Sequence, residues 1–301
     1  MHKTVILLVG PTAVGKTALA LQIAEQYGTA IISADSRQCF KELNIGVAKP
    51  TPLELARVLH YFINTHTISE DVSAAVFEQY ALETVEKLFE KQDVVVMAGG
   101  TGLYVQAFCE GLDALPAIAP SVRKKIREAY AVGGMSWLSQ ALQQADPLYA
   151  AKGEMQNPQR MMRALEVIES SGQSLLSFQS NQKAKRPFRI IKVGLDLPRE
   201  KLYARINERV DAMMKMGLLE EVEALKSFAR YNALQTVGYK ELYAYLEGAI
   251  SLEAAVEQIK QHTRNYAKRQ LTWFRKDEEI TWFSPEAHDE ISQWLNKALT
   301  R

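Results

Sequence analysis

Cysteine is scarce in this chain. Only Cys39 and Cys109 occur among 301 residues, far apart and outside any C-x-x-C pattern. That excludes a disulfide framework and a four-cysteine metal site, and it fits a reducing compartment. No apolar run approaches the roughly 18 residues of a membrane-spanning helix. Strand-like sequence begins by Val5, so neither a membrane span nor a signal peptide is expected. The five histidines (His2, His60, His66, His262, His288) lack metal-ligand spacing. Internal repeats and low-complexity tracts are absent too. What is present, 47% hydrophobic and 24% charged residues, suits a globular cytoplasmic protein with room for about two domains.

Net charge is only +1, but it is unevenly spread. Residues 1–115 carry 8 Lys/Arg against 13 Asp/Glu, residues 116–188 carry 10 against 5, and the remainder 18 against 17. A basic middle segment marks either a surface for a polyanionic partner or a solvated helical face. Charge alone does not separate the two.

The most informative stretch is Gly10-Pro11-Thr12-Ala13-Val14-Gly15-Lys16-Thr17. It follows the apolar run Val5–Val9 and leads into a helical pattern over Ala18–Ala24, the context that makes a G-x-x-x-x-G-K-[ST] match a phosphate-binding loop. The glycines let several N–H groups converge on one anion, and the helix N-terminus adds positive potential. Lys16 supplies charge for the outer phosphates, and Thr17 a hydroxyl able to ligate Mg²⁺.

Further strands are expected at Ala30–Ala34, Leu59–Ile63, Val94–Ala98 and Phe188–Leu195, with a helix over Val76–Phe89 between them. Strands alternating with helices predict an α/β fold, a parallel sheet flanked by helices as in P-loop NTPases. From about 120 to 180 the patterns are helical only. Ser121 is expected to cap the first of these helices, and Asn157-Pro158 opens another that Gly172 ends. We therefore expect an α/β core of 1–115 and 188–301 with an all-helical insertion domain at 116–187. Helices over Arg199–Lys215, Leu218–Phe228, Gly238–Leu246 and Leu252–Lys276, then a strand at Ile280–Phe283, complete the chain.

The residues just beyond each strand carry the chemistry. Ligands of such sheets sit at the carboxyl ends of the strands, so the phosphate loop, Asp35 and Gly99-Gly100-Thr101-Gly102 should share one crevice. The strand at Val94–Ala98 ends in glycine rather than in the Asp of a nucleotide hydrolase. Asp35 is the available carboxylate, placed to take a proton from an incoming nucleophile or to do no more than cap a turn. Thr101 can hydrogen-bond a leaving-group oxygen. Arg160 and Arg163, one helical turn apart, can contact phosphates together with Gln159 and Arg123.

Seven ordered blocks resemble the tRNA dimethylallyltransferase (tRNA isopentenyltransferase) family. They are the phosphate loop, Asp35-Ser36-Arg37-Gln38, Asn44–Pro50, Gly99–Tyr104, Asn157–Arg160 with Arg163–Glu166, Val237–Glu241 and Tyr266–Arg275. The departures are small: Phe40 replaces the usual Tyr, and Tyr61 stands where a second His is frequent. The zinc-finger extension of eukaryotic members is missing, which points to the bacterial form. The resemblance implies transfer of a dimethylallyl group from its diphosphate to the exocyclic amine of the adenosine 3′ to the tRNA anticodon. It makes the donor diphosphate the anion of the loop, with Mg²⁺ at Thr17, and Asp35, Thr101 and Lys16 as the catalytic set. It also implies tRNA contacts by Asp35 to Gln38, Thr101, Arg123, Gln159-Arg160-Met161-Met162-Arg163 and Lys240-Glu241-Leu242-Tyr243-Ala244-Tyr245. The insertion would hold the anticodon stem-loop, and a monomer with no protein partner is expected. The alternatives are an adenylate isopentenyltransferase acting on free AMP or ADP, and a small-molecule P-loop kinase.

Overall fold

The computed structural model describes residues 2–180 and 182–300. The chain forms two compact units, Met1–Glu110 with Lys185–Arg301, and Gly111–Ala184. The strands of the larger unit are β1 (Thr4–Val9), β2 (Ile31–Ala34), β3 (His60–Tyr61), β4 (Val94–Gly99), β5 (Arg189–Leu195) and β6 (Thr281–Phe283). The first four helices are α1 (Lys16–Gln26), α2 (Pro52–Arg57), α3 (Ala74–Phe89) and α4 (Gly102–Glu110). The smaller unit holds α5 (Pro120–Ala145), α6 (Pro147–Lys152) and α7 (Pro158–Ser171). The chain then adds α8 (Arg199–Lys215), α9 (Leu218–Ala224), α10 (Tyr239–Leu246), α11 (Leu252–Phe274) and α12 (His288–Leu299).

All six strands run parallel in the order β3-β2-β4-β1-β5-β6. β1 lies between β4 and β5, with Val5 opposite Val95 on one side and Ile190 on the other. Its alternate side chains feed two layers. Val5, Leu7 and Val9 pack into one with Phe77 and Phe108, while Ile6 and Leu8 join Leu19, Ile23 and Ile206 in the other. Burial on both faces is why β1 and β4 read as unbroken apolar runs. Each such side chain contributes about 1.5–3 kcal/mol relative to exposure. Because the strands are parallel, the ends of β1, β2 and β4 open onto the same edge of the sheet.

β3 is shorter than the Leu59–Ile63 pattern suggests. Phe62 and Asn64 take positive φ (60° and 55°), which ends the extended run. Phe62 turns into an aromatic cluster instead, with ring centroids 5.0 Å from Phe77 and 5.1 Å from Tyr80.

The smaller unit packs α5 and α7 around Ile126, Leu138, Leu142, Tyr149 and Leu165. The expectation for Ser121 is corrected. Helix α5 starts two residues earlier than a Ser121 cap would set it, with Ala119 at the N-cap and Pro120 in its first turn, so Ser121 lies inside the helix and caps nothing. At Gly134 the chain leaves helical geometry (φ 59°, ψ −155°) and α5 kinks. The start of α7 is as expected: the Asn157 side chain accepts from the backbone N–H of Gln159 (3.1 Å) and Arg160 (3.3 Å). Gly172, at φ 69°, ends it.

Candidate active site

The phosphate loop begins where β1 meets β5. A Cβ on Gly10 would lie 2.6 Å from the Leu195 carbonyl oxygen, and its φ is 143°, so this position requires glycine. Ala13 adopts φ 64°, a conformation that costs a non-glycine residue energy and that clusters at functional sites. Lys16 opens α1, and its Nζ donates to the carbonyl oxygens of Gly10 (2.9 Å) and Pro11 (2.7 Å). Burial of the ammonium, helped by the charge of Arg209 and partly opposed by Asp35, pulls its pKa down to about 7. The Thr17 side chain is exposed beside it.

Two braces tie the segments beyond the strand ends together. Gln270, buried on α11, accepts from the Thr12 N–H (2.8 Å) through Oε1 and donates from Nε2 to the Gly100 carbonyl (2.8 Å). Thr101 Oγ1 accepts from the Ser36 N–H (3.0 Å), linking the ends of β4 and β2. Asp35 Oδ1 accepts from the backbone N–H of Arg37 (2.8 Å) and Gln38 (3.3 Å). This carboxylate therefore does cap the turn after β2, but with one oxygen only; among the described residues Oδ2 accepts no hydrogen bond. The Tyr266 hydroxyl lies beside Asp35, Arg37 and Thr101, and burial raises its pKa to about 12.

Two cavities meet at these residues. One, of about 600 Å³, is polar and takes in Thr12, Lys16, Thr17, Ser33, Arg205 and Arg209. The other, of about 220 Å³, has apolar walls formed by Val47, Ile206, Val210, Met213, Leu218 and Ile259. Thr12, Asp35, Val47, Ala48, Arg209 and Tyr266 belong to both. Gly99 and Gly100 also line the polar side, so the three strand ends converge on one crevice.

Ser36 and Arg37 line the apolar cavity beside Asp35. Gln38 lines the polar cavity with its amide already engaged: its Oε1 accepts from Ser33 Oγ, and its Nε2 donates to the carbonyls of Val47 and Ala48. Lys240, Glu241 and Ala244 line a third groove, of about 470 Å³, shared with Tyr266, His262 and Arg269. Within the expected run 240–245, however, Leu242 and Tyr243 are core residues (0% and 6% exposed), because α10 turns that face toward the apolar layer. Glu241 is buried as well, its carboxylate accepting from the Gly238 N–H (2.8 Å) and pairing with His262 Nδ1 (2.6 Å). Tyr245 is half-buried against the same layer.

In the smaller unit Met161 and Met162 are likewise core residues (0% and 6% exposed). The apolar face of α7 claims them, so their expected contact with RNA is withdrawn. Gln159 and Arg160 are exposed, and Arg160 pairs with Glu154. Arg123 and Arg163 converge on the buried Glu166 at 3.7 and 3.2 Å.

Four site residues carry no role in the sequence-based expectations: Arg205 and Arg209 lie outside the family-like blocks, and Tyr266 and Gln270 lie within the Tyr266–Arg275 block. Arg209 Nη1 donates to Thr12 Oγ1 (3.3 Å), and Arg205 Nη1 to the Val14 carbonyl (3.4 Å). Desolvation lowers the pKa of Arg209, with Asp35 opposing. A local signal common to all four is spacing: each pair, 205/209 and 266/270, sits at i,i+4 on one helix face.

A parallel α/β sheet with this loop after β1, and a carboxylate at the end of β2, defines a P-loop phosphate-binding protein. Comparison with known proteins narrows the class. Residues 38–277 match the family model described as IPP transferase. The chain is 47% identical over 292 residues to tRNA dimethylallyltransferase 1 of Bacteroides thetaiotaomicron, covering 97% of this chain and 95% of that protein. It is 45% identical over 299 residues to tRNA dimethylallyltransferase of Cytophaga hutchinsonii, covering 99% and 98%. The crystal structure of a full-length tRNA isopentenylpyrophosphate transferase from Bacillus halodurans superposes with a TM-score of 0.71 at 34% identity, covering 98% of this chain and 97% of that one. A eukaryotic dimethylallyltransferase described as acting on tRNA gives a TM-score of 0.77 at 26% identity, over 97% of this chain and 75% of that one. The chain belongs to the IPP transferase family.

Proposed function

We propose that this protein transfers a dimethylallyl group from dimethylallyl diphosphate to the exocyclic amine of the adenosine 3′ to a tRNA anticodon, releasing diphosphate. The observation that carries this reading is the pair of adjoining cavities. A donor with a highly charged head and an apolar five-carbon tail needs a cationic, N–H-rich chamber opening into an apolar one, with the proton acceptor where the two meet. Lys16, Arg205 and Arg209 line the first chamber together with Glu54 and Glu208; Val210, Met213 and Ile259 line the second, and Asp35 lines both.

In the reaction a C–N bond forms between the adenine amine and the allylic carbon while the C–O bond to diphosphate breaks. The bonding pair leaves with diphosphate, and the amine proton goes to Asp35. Charge grows on the departing oxygens, where the loop N–H groups, Lys16 and Arg209 act most strongly in a partly dry crevice. Thr101 holds the turn that carries Ser36 and Asp35. Arg37, Lys240, Gln159 and Arg160 supply exposed or partly exposed polar groups for RNA, and Arg123 and Arg163 join them where phosphate competes with Glu166. The adenosine must be swung out of its loop to reach Asp35.

Mg²⁺ fits this crevice in a limited way. No group of three or more His, Cys, Asp or Glu able to hold a metal exists among the described residues. Mg²⁺ commonly keeps water and takes phosphate oxygens, so the exposed Thr17 hydroxyl is the ligand this chain would contribute. The ion would neutralise charge on the leaving diphosphate.

Incubation with labelled dimethylallyl diphosphate and either unmodified tRNA or AMP tests the reading. Label is expected in tRNA alone. Label in AMP, or in neither, overturns it.

A further inference from the structure

Residues 44–48 form one wall of the apolar cavity through Gly46, Val47 and Ala48, and the last two reach the polar chamber. The loop has no regular secondary structure: two backbone hydrogen bonds close it, from the Ala48 N–H to the Ile45 carbonyl (3.0 Å) and from the Lys49 N–H to the Asn44 carbonyl (3.2 Å), and Ala48 sits at φ 48°. One carboxylate anchors it to α9. Glu221, in the first turn of α9, accepts from three successive backbone N–H groups, those of Asn44 (3.1 Å), Ile45 (2.8 Å) and Gly46 (3.1 Å). It also accepts from the Tyr239 hydroxyl (2.6 Å). Consecutive N–H groups around one anion are the arrangement proteins use to hold ligands, here satisfied by the protein's own side chain. Gly46 lies flat on Tyr239, where a Cβ would come within 2.5 Å of the ring. Gln38 holds the Val47 and Ala48 carbonyls from the other side, and Lys49 Nζ donates to the Phe40 carbonyl and Asn64 Oδ1 (both 2.5 Å). The same short helix contributes Leu218 to the cavity.

We propose that Glu221 is a positioning residue for the transfer: it pins the 44–48 wall so that the cavity accepts a five-carbon tail in one orientation and resists a longer one. This rests on the function proposed above. A strained, non-glycine αL residue persists only where its surroundings over-determine it, and Glu221 fixes the three residues 44–46 that lead toward Ala48.

The test uses the full-length protein with Glu221→Ala and Glu221→Gln. The readouts are kcat and KM for dimethylallyl diphosphate with tRNA, inhibition by the ten-carbon geranyl diphosphate, the affinity for inorganic diphosphate, and melting. For Glu221→Ala we expect kcat/KM to fall by ~10–100-fold, the scale of a displacement of about an ångström near the chemistry. Preference for the five-carbon over the ten-carbon diphosphate should shrink by about tenfold. Inorganic diphosphate should bind unchanged, since among the described residues no hydrogen bond joins residues 44–48 to the phosphate loop. Glu221→Gln keeps the packing, and its carbonyl oxygen still takes the Asn44 and Ile45 N–H groups. Its amide nitrogen meets the Gly46 N–H donor against donor, and the Tyr239 hydroxyl must turn from donor to acceptor, so its effect should be smaller in the same direction. A merely structural role would lower the melting temperature and reduce turnover without moving the chain-length preference. An unchanged preference in both variants, with or without a loss of stability, overturns the proposal. Failure of the wild-type protein to label tRNA would instead overturn the underlying function.

Discussion

Gln270→Glu is the substitution whose consequence the geometry specifies most fully. Gln270 is 6% exposed and spans the loop and the end of β4, accepting from Thr12 N–H and donating to the Gly100 carbonyl, both at 2.8 Å. A neutral glutamic acid reproduces both contacts, with its O–H in place of the amide N–H. An ionised one sets a carboxylate oxygen against the Gly100 carbonyl, so the folded protein holds the proton and the pKa of residue 270 rises above its unfolded value of about 4.3. The unfolded state then binds fewer protons than the folded state, and stability falls as pH rises. The slope approaches about 1.4 kcal/mol per pH unit between the two pKa values. Lys16 and Arg209 in the same chamber oppose the shift, so a rise of about 1–2 units and a total loss of about 1–3 kcal/mol are expected. Below about pH 4 the variant should match the wild type. Urea unfolding of both proteins at steps from about pH 4 to 8 gives the difference curve directly. Gln270→Leu serves as control: it orphans two backbone groups at every pH and should cost about 2–5 kcal/mol without a slope. Parallel curves for Gln270→Glu and wild type would refute the bridging role.

Three further outcomes are expected. Asp35→Ala should lower turnover by ~10²–10⁴ while donor binding survives; near-normal turnover in a steady-state assay would remove Asp35 from the mechanism. Lys16, with its pKa drawn down to about 7 from about 10.4 unfolded, binds fewer protons folded than unfolded between those values. Wild-type stability should therefore rise from about pH 7 toward 10, and Lys16→Met should lack that rise in denaturant titrations; equal slopes would contradict the burial of the ammonium. Arg160→Ala with Arg163→Ala should weaken tRNA binding and flatten its salt dependence by roughly 0.7–0.9 log units per lost phosphate contact. A salt series beside a melting curve checks this, and an unchanged slope with intact folding would take both arginines out of the RNA surface.

How far the sequence alone reached can be traced residue by residue. Strand, glycine loop and helix at 4–26 are neighbours along the chain, and their signals are local: apolar runs, glycines and a Lys-Thr pair at a helix start. Parallel topology is implied by alternating strands and helices, and parallel topology brings Asp35 and Thr101 beside Lys16 whatever the packing details. The face of a helix is harder to read. Met161, Met162, Leu242 and Tyr243 belong to motif-bearing runs, and a run says nothing about which side chains face the core. Only the packing of α7 and α10 decided that. Ser121 failed as a cap because Pro120 is at least as good an entrant to the helix as serine is a cap. Arg209 and Gln270 stand 197 and 258 residues from Thr12, and Glu221 stands 177 from the Asn44 it clamps. No local pattern encodes such meetings. The local chain determined which chemistry was present. The closure of α8, α9 and α11 over the strand ends decided which side chains carry it, because partners so distant in sequence are selected by burial and hydrogen-bond satisfaction in the folded core.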